Sequence, residues 1–600
     1  MPAANKGACR NSKWAKGLYL SGCYFLQAQR ILCEAFLHLS NNADAWACRI
    51  VTRFDRTDIV PSHTGDHVLP LSPFFSKLLR HAHRKSQRIA IRDVNLRIEK
   101  SYIEFLSDVL AVRKALRLSL SPETQWPLRR GEDKYIALIA TGGYEYAVGF
   151  VAICALGAAV VPITVLLPVK EASYFVLKAK CAAILYSSDG GKLADPLAAH
   201  LEKTTSENIG CIHIARHFRT CPLPQGDIVL SSDKYLDDNG PGVVVFTSGT
   251  TGPPKGAVMR RAYLHDTSAA VADHFGVTEK DEWQFRRGLD VGALEERRLA
   301  YILWIPTIYM RMMRYFERTI DPLPPHEVYQ YIAGARQFRA LLCGTSALPT
   351  PVQEFWTKIL GGRTILSRYG ASGIGPVYTP SVESDPVPSG SVRSVFPGTT
   401  VKLSDGEEGE MLIKGPYMFS KYLYDEVATA EAHDTDGFYK TGDVARREGN
   451  CYFILGRASL DILKSGGYKI SALDIERKIL GLPYVSEVMV VGVADDEFGQ
   501  RVAAVVSLRD DQTMYRCAEN GWVGKDFTLD VLRGDLRKNL AAYKIPTLLR
   551  VVEGELPKSG TGKIVKKVLS PKFFPADYHR EFEVQVWDSN KKAKKVDSQL

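Results

Sequence analysis

The sequence predicts an α/β protein with a large N-terminal domain of stacked α/β subdomains, a small β-barrel-like subdomain and a small α+β C-terminal domain. Three observations carry this expectation. From Pro73 onward, strand-like apolar runs alternate with helical patterns, an order that stacks layers of the two kinds. Between Gly390 and Leu423 the runs shorten and are broken by Pro and Gly. Past Gly456 to Leu460 the alternation restarts as a second compact unit, so the expected divisions are an N-terminal extension (1–70), an N-terminal domain (71–456), a C-terminal domain (457–575) and a basic tail (576–600) expected to be disordered.

In chain order, Arg88 to Ile91 reads as a strand, and Ser101 to Leu116 as an amphipathic helix with Tyr102, Leu106 and Val109 on one face. Strands are expected at Tyr135 to Ala140, Ala182 to Tyr186 and Gly242 to Phe246. Tyr146 to Val169 carries no charge, but Gly157, Pro162 and Pro168 divide it into a helix opened by Tyr144-Glu145 and a buried strand at Val160 to Ile163, not a membrane span. In the C-terminal domain, Ser471 to Asp474 opens a helix with Ile475 and Ile479 spaced to pack. Strands at Val485 to Val493 and Val502 to Leu508, a helix from Leu529 to Leu540 and a strand at Leu548 to Val552 follow.

The net charge of +10 is spread along the chain without a nucleic-acid-binding signature, and a basic surface suits small anionic substrates. Eleven cysteines without Cys-x-x-Cys spacing argue against a zinc site and a disulfide framework. Residues 1–33 hold five Lys/Arg and no acid, which fits a mitochondrial presequence or an upstream start. The final Ser-Gln-Leu is near the peroxisomal signal, so cytoplasm and peroxisome stay open as compartments, and the oligomeric state is not legible.

The chemistry begins at Phe246 to Gly256, Phe-Thr-Ser-Gly-Thr-Thr-Gly-Pro-Pro-Lys-Gly, directly after an apolar strand. Gly249 and Gly252 let backbone amides turn toward an anion. Thr247, Ser248, Thr250 and Thr251 add hydroxyl donors, and Lys255 adds a positive charge. This is a phosphate loop, though not the Gly-Lys-Ser/Thr loop of common NTPases. Two further elements follow: Tyr439-Lys440-Thr441-Gly442-Asp443 with Gly456-Arg457 and Lys464-Ser465-Gly466-Gly467-Tyr468, then Pro557-Lys558-Ser559-Gly560-Thr561-Gly562-Lys563.

These three elements, in this order, resemble the adenylate-forming superfamily of acyl-CoA synthetases, luciferases and adenylation domains, over about Pro73 to Phe574. The resemblance implies that Asp443 and Arg457 hold the ribose hydroxyls, since a carboxylate accepts from both members of a diol. It implies that Lys563 is the catalytic lysine, bridging two anions as they approach. Ser459 occupies the hinge of a mobile C-terminal domain, and Gly466 and Gly467 lie on the face presented to coenzyme A. Thr307, in Ile305-Pro306-Thr307-Ile308-Tyr309, borders the acyl pocket. Gly344, Thr345 and Ser346 run along adenine and acyl group, and Arg368-Tyr369-Gly370-Ala371-Ser372 forms the adenine-stacking loop.

The implied function is that of an ATP-dependent acyl-CoA synthetase using ATP, Mg²⁺ and coenzyme A, closest to malonyl-CoA synthetase-like members. Arg339 would pair with the second carboxylate of malonate or a related short acid. Two departures favour alternatives. Gly373 replaces a glutamate that helps hold Mg²⁺ in the family. The interval from Lys255 to Pro306 is too short for the usual pocket wall, and no histidine lies between His274 and His326. A catalytically impaired nucleotide-binding relative therefore competes. An adenylation domain feeding a carrier protein competes less well, since no carrier segment follows Phe574.

Overall fold

This computed structural model describes residues 61–85, 88–93, 96–205, 209–247, 253–277, 282–283, 299–304, 306–344, 348–371, 373–380, 388, 390–509, 515–517, 521–523, 527–558, 564–581 and 583–587. A seven-stranded sheet anchors the N-terminal domain. Its strands are β1 (Tyr135–Ile139), β2 (Ala159–Ile163), β3 (Cys181–Tyr186), β4 (Gly210–His213), β5 (Pro241–Thr247), β6 (Lys255–Arg260) and an edge pair, Lys421–Tyr422. The order runs from that edge through β6, β5, β2, β1 and β3 to β4. All neighbours are parallel except those of β6, which turns back against β5.

The sheet is covered on both faces, which explains why β1 is buried throughout. Tyr135, Ala137 and Ile139 pack with α3 (Val169–Lys178), whereas Ile136 and Leu138 pack with α1 (Tyr102–Ser119) and α2 (Tyr144–Leu156). Helix α1 starts where expected because Ser101 and Glu104 close a reciprocal capping box. Helix α2 is apolar nearly all round and stops at Gly157, whose φ of 93° is left-handed. No helix among the described residues is long and apolar enough to cross a membrane.

Buried polar groups tie these layers together. The Tyr144 hydroxyl donates to Asp108 Oδ2 at 2.6 Å, and Asp108 also receives the Arg219 amide at 2.7 Å and faces Lys100 at 3.5 Å. Burial, then the Asp108 charge, push the Tyr144 phenol well above its usual range. Replacing Tyr144 with Phe strips one donor from a buried carboxylate. The expected loss is about 1.5–3 kcal/mol of unfolding free energy, read from urea titration.

A second sheet has four parallel strands: β7 (Glu282–Trp283), β8 (Leu299–Trp304), β9 (Ala340–Cys343) and β10 (Leu366–Ser367). Helix α4 (Arg261–Phe275) packs beside it, and α5 (Pro306–Tyr315) leaves the end of β8. The interval expected to fall short of the usual pocket wall lies mostly outside the described residues, which between 278 and 305 are only 282–283 and 299–304.

A hairpin, β11 (Tyr369–Ala371) with β12 (Gly375–Tyr378), leads to the β subdomain. Its short strands β13 (Ser391–Val392), β14 (Thr400–Leu403) and β15 (Glu408–Lys414) are joined by β16 (Tyr439–Glu448) and β17 (Cys451–Arg457). The antiparallel order is β13-β17-β16-β15-β14, so the subdomain reaches past Leu423 to Arg457.

The C-terminal unit opens with a hairpin, β18 (Ile462–Ser465) and β19 (Tyr468–Ser471), and α6 (Ala472–Leu480), where the Ser471 hydroxyl accepts from the Asp474 amide. Its sheet pairs β20 (Val485–Asp495), β21 (Gly499–Leu508), β22 (Leu548–Val552) and β23 (Val584–Val586). Helix α7 spans Leu529–Leu536 and stops short of the expected Leu540; α8 is Lys566–Phe573.

Two expectations are corrected at the domain edges. The tail from 576 is expected to be basic and disordered, yet β23 extends the C-terminal sheet, Arg501 donates to the Trp587 carbonyl at 2.8 Å and the Arg533 guanidinium lies 3.9 Å from the Trp587 ring centroid. A three-residue strand is too short to announce itself by periodicity. At the other edge, Val68–Leu71 pairs in parallel with Val229–Tyr235, so ordered structure begins inside the expected extension.

Candidate active site

Antiparallel strands β5 and β6 flank the expected phosphate loop, with Thr247 facing Lys255 across the pair and its hydroxyl 3.3 Å from the Lys255 carbonyl. Ser248, Gly249, Thr250, Thr251 and Gly252 themselves lie outside the described residues. The hairpin base is held from α3: the Tyr174 hydroxyl donates to the Pro254 carbonyl at 3.0 Å, and Phe175 stacks on Phe246 at 4.3 Å. Gly256 is required by close approach, because a Cβ there would stand 3.0 Å from Val244 Cγ1 and 3.3 Å from Leu423 Cβ.

From Lys255 an aromatic chain leads to the expected ribose site. Lys255 Nζ lies 5.3 Å from the Tyr422 ring centroid, and the Tyr422 and Tyr439 hydroxyls are 3.4 Å apart. Tyr439 opens β16, four residues before Asp443.

Asp443 is the best-defined member of the site. Its Oδ2 accepts from the Tyr369 hydroxyl at 2.6 Å, and its Oδ1 faces Arg457 Nε at 3.2 Å. The backbone dictates this meeting, because Asp443 and Arg457 are register partners across β16 and β17. Gly442, with φ of 72°, supplies the left-handed turn before the carboxylate; its amide donates to Glu410 at 2.8 Å, and the Asp443 amide donates to the Thr441 hydroxyl at 3.0 Å. Burial, then Asp443, hold the Tyr369 phenol well above its usual range, so it stays a donor.

The second sheet delivers the remaining residues at one edge. Trp304, Cys343 and Ser367 end adjacent parallel strands in register, placing the Thr307, Gly344 and Arg368 segments side by side at their carboxyl ends. The Arg368 amide donates to the Cys343 carbonyl at 2.9 Å, and a Cβ on Gly344 would sit 3.4 Å from Arg368 Nε. Gly370 and Ala371 continue into the β11–β12 hairpin. Thr345, Ser346, Ser372 and the Thr307 side chain lie outside the described residues.

Arg339 is not brought to this edge. It precedes β9 at the opposite end, and its guanidinium donates to the Phe275 and Gly276 carbonyls at the end of α4, both at 3.3 Å.

In the C-terminal unit, Ser459 lies in the turn that follows β17, where the Ala458 amide donates to the Gly442 carbonyl at 3.0 Å. Gly466 and Gly467, φ 56° and 83°, form the two-residue turn between β18 and β19. Lys563 lies outside the described residues.

The sequence alone does not single out Tyr422 or Tyr174, which only their partners, distant along the chain, reveal.

The β5–β6 hairpin, the Asp443–Arg457 pair and a C-terminal sheet are the features on which the adenylate-forming resemblance rests. The chain belongs to the AMP-binding enzyme family, whose model matches residues 78–286 and 282–423, with the AMP-binding enzyme C-terminal domain at 474–563. The two pieces of the first match overlap at 282–286. It is 32% identical over 537 residues to the acyl-CoA ligase oryP of Aspergillus oryzae, covering 85% of this chain and 93% of that one. To the mitochondrial malonate–CoA ligase ACSF3 of Xenopus laevis it is 30% identical over 516 residues, covering 75% and 84%. The crystal structure of ATP-bound MatB from Rhodopseudomonas palustris shares the fold, with a TM-score of 0.66 at 20% identity over 84% of this chain and 99% of that one. The protein is an ATP-dependent acyl-CoA synthetase, an AMP-forming acid–thiol ligase.

Proposed function

We propose that this synthetase activates malonate or a related short acid, with the nucleotide held between the β5–β6 hairpin and Asp443. The observation that carries the nucleotide site is the Asp443 carboxylate, fixed by Tyr369 and Arg457 and linked through Tyr439 and Tyr422 to Lys255. Malonate is supported by the names of relatives such as the Xenopus enzyme. Arg339 gives it little support, being engaged with helix carbonyls.

In the first half-reaction an acid oxygen attacks the α-phosphorus of ATP. The bond to the bridging oxygen breaks, pyrophosphate leaves, and an acyl adenylate forms. Lys563 offsets the charge of the two approaching anions. Rotation about Ser459 then presents the Gly466–Gly467 turn, and the coenzyme A thiol, losing its proton, attacks the acyl carbon and expels AMP. The basic, acid-poor start of the chain and the mitochondrial relatives support a mitochondrial address.

The residues fit a protein-held magnesium poorly. Among those described, no group of three or more His, Cys, Asp or Glu could hold a metal ion, and position 373 carries no carboxylate. The nearest atoms to a Cβ at position 373 would be Phe419 Cδ1 at 3.4 Å, then Ala257 Cβ and Phe419 Cε1 at 3.9 Å, and Ala257 is two residues from Lys255. Gly373→Glu is therefore expected to fold and to raise pyrophosphate exchange by roughly tenfold at limiting Mg²⁺. An unchanged rate would mean the lost glutamate does not limit this enzyme.

The primary test is ATP–pyrophosphate exchange with malonate, methylmalonate, acetate and longer acids. Exchange strongest with malonate or methylmalonate supports the reading. Gly373 favours a second reading, a silent nucleotide-binding relative, which ATP binding without exchange for any acid would establish.

A further inference from the structure

Lys566, the first residue of α8, is buried between two carboxylates that come from different segments. Its Nζ lies 2.6 Å from Asp461 Oδ1 and 2.8 Å from Glu476 Oε1, with all three side chains at most 15% exposed. Each carboxylate also holds backbone. Asp461 Oδ2 accepts from the Arg457 amide at 3.0 Å, and Glu476 Oε1 accepts from the Val490 amide on β20 at 2.8 Å. The Asp461 main chain is pinned too, its amide donating to the Arg457 carbonyl at 2.8 Å and its carbonyl accepting from the Ala472 amide at 2.7 Å. There is no slack around it: Gly456 has φ of 118°, and a Cβ there would fall 2.5 Å from Asp461 Cβ.

One ammonium thus joins the strand end that carries Arg457, the helix α6 and the start of α8. A buried ion cluster of this kind contributes little net stability, because desolvation of the charges offsets their attraction. What it fixes is geometry. Lys566 follows Lys563 by three residues, a stretch of chain that spans at most about 11 Å. Its anchor therefore confines the root of the Lys563 segment to the neighbourhood of Asp461, whose other oxygen holds Arg457.

We propose that Lys566 is a positioning residue for adenylation: by bridging Asp461 and Glu476 it fixes the segment bearing Lys563 relative to the ribose-side Arg457. This rests on the reading that Lys563 serves the first half-reaction. Asp461, Glu476 and Lys566 all follow Ser459, whereas the Arg457 amide and carbonyl that Asp461 holds precede it, so the cluster ties the C-terminal unit to Arg457 in one orientation. Its loss should therefore loosen the lysine segment in the orientation that serves adenylation, whereas thioester formation follows rotation about Ser459 out of that orientation.

The test is Lys566→Met in the full chain, with both half-reactions measured separately. Adenylation is read by exchange of labelled pyrophosphate into ATP, using whichever acid of the panel the wild-type turns over fastest. Thioester formation is read from the matching synthetic acyl adenylate and coenzyme A. A misplacement of about 1 Å costs on the order of 10²-fold, so the exchange kcat should fall by about 10- to 100-fold. KM for ATP and the thioester rate should stay within about twofold, and Lys566→Arg should recover much of the exchange.

Unchanged exchange, or an equal fall in both half-reactions, overturns the proposal. Should Lys566→Met fail to fold, the near-isosteric Glu476→Gln carries the same test, with the same split expected and the same results overturning it. Lys563→Ala separates the two levels. If it lowers exchange while Lys566→Met does not, only the positioning role is lost. If Lys563→Ala leaves exchange intact, or the wild-type exchanges with no acid, both readings fall.

Discussion

Lys563→Ala is expected to lower ATP–pyrophosphate exchange by about 10²–10³-fold, the range seen when one charge-stabilising group is removed from a transition state. The physical reason is specific to the first half-reaction. A carboxylate and an α-phosphate, both anionic, must come within bonding distance, and an ammonium placed between them favours the transition state more than the separated reactants. In the second half-reaction the attacking thiol meets an acyl carbon whose leaving group is already AMP. Thioester formation from a supplied acyl adenylate should therefore stay within about twofold of wild-type. A variant losing both half-reactions equally would remove Lys563 from the adenylation step.

Asp443→Ala is expected to reduce kcat/KM for ATP by about 10²-fold, or about 2.7 kcal/mol. The carboxylate is the acceptor for the ribose diol, and charge-assisted hydrogen bonds of this kind are worth about 1.5–3 kcal/mol each. Its loss also leaves the Tyr369 hydroxyl and Arg457 without the partner they share. A cycle with 2′,3′-dideoxy-ATP separates these effects. If Asp443 binds the ribose, removing the hydroxyls should penalise the wild-type strongly and the variant hardly at all. Equal penalties in both would place the ribose elsewhere.

The two predictions draw on different kinds of information. The expected role of Lys563 is read from a local run, Ser-Gly-Thr-Gly-Lys, and from its order after two other such runs. Asp443 was legible as an acid in a Thr-Gly-Asp turn, but its partner Tyr369, 74 residues earlier, was expected only to offer a ring face to the purine. A hydrogen bond across that separation leaves no trace in local pattern. Arg339 shows the converse. Its spacing before Gly344 suggested an acyl-pocket role, yet the strand between them carries the two to opposite ends. A strand advances about 3.3 Å per residue, so nearness in sequence became distance in space.

By itself the sequence determined the α/β order of elements, the capped start of α6 and the Gly157 stop of α2. These depend on residue type over a few positions: periodicity, glycine at positive φ, a hydroxyl at a helix start. Tertiary structure alone decided that Tyr422 and Tyr439 link Lys255 to the Asp443 strand, that the tail adds β23 to the C-terminal sheet, and that Lys566 joins Asp461 to Glu476. Each of these depends on which strands pair and in what register, and therefore on the burial of whole faces rather than on any local run of residues.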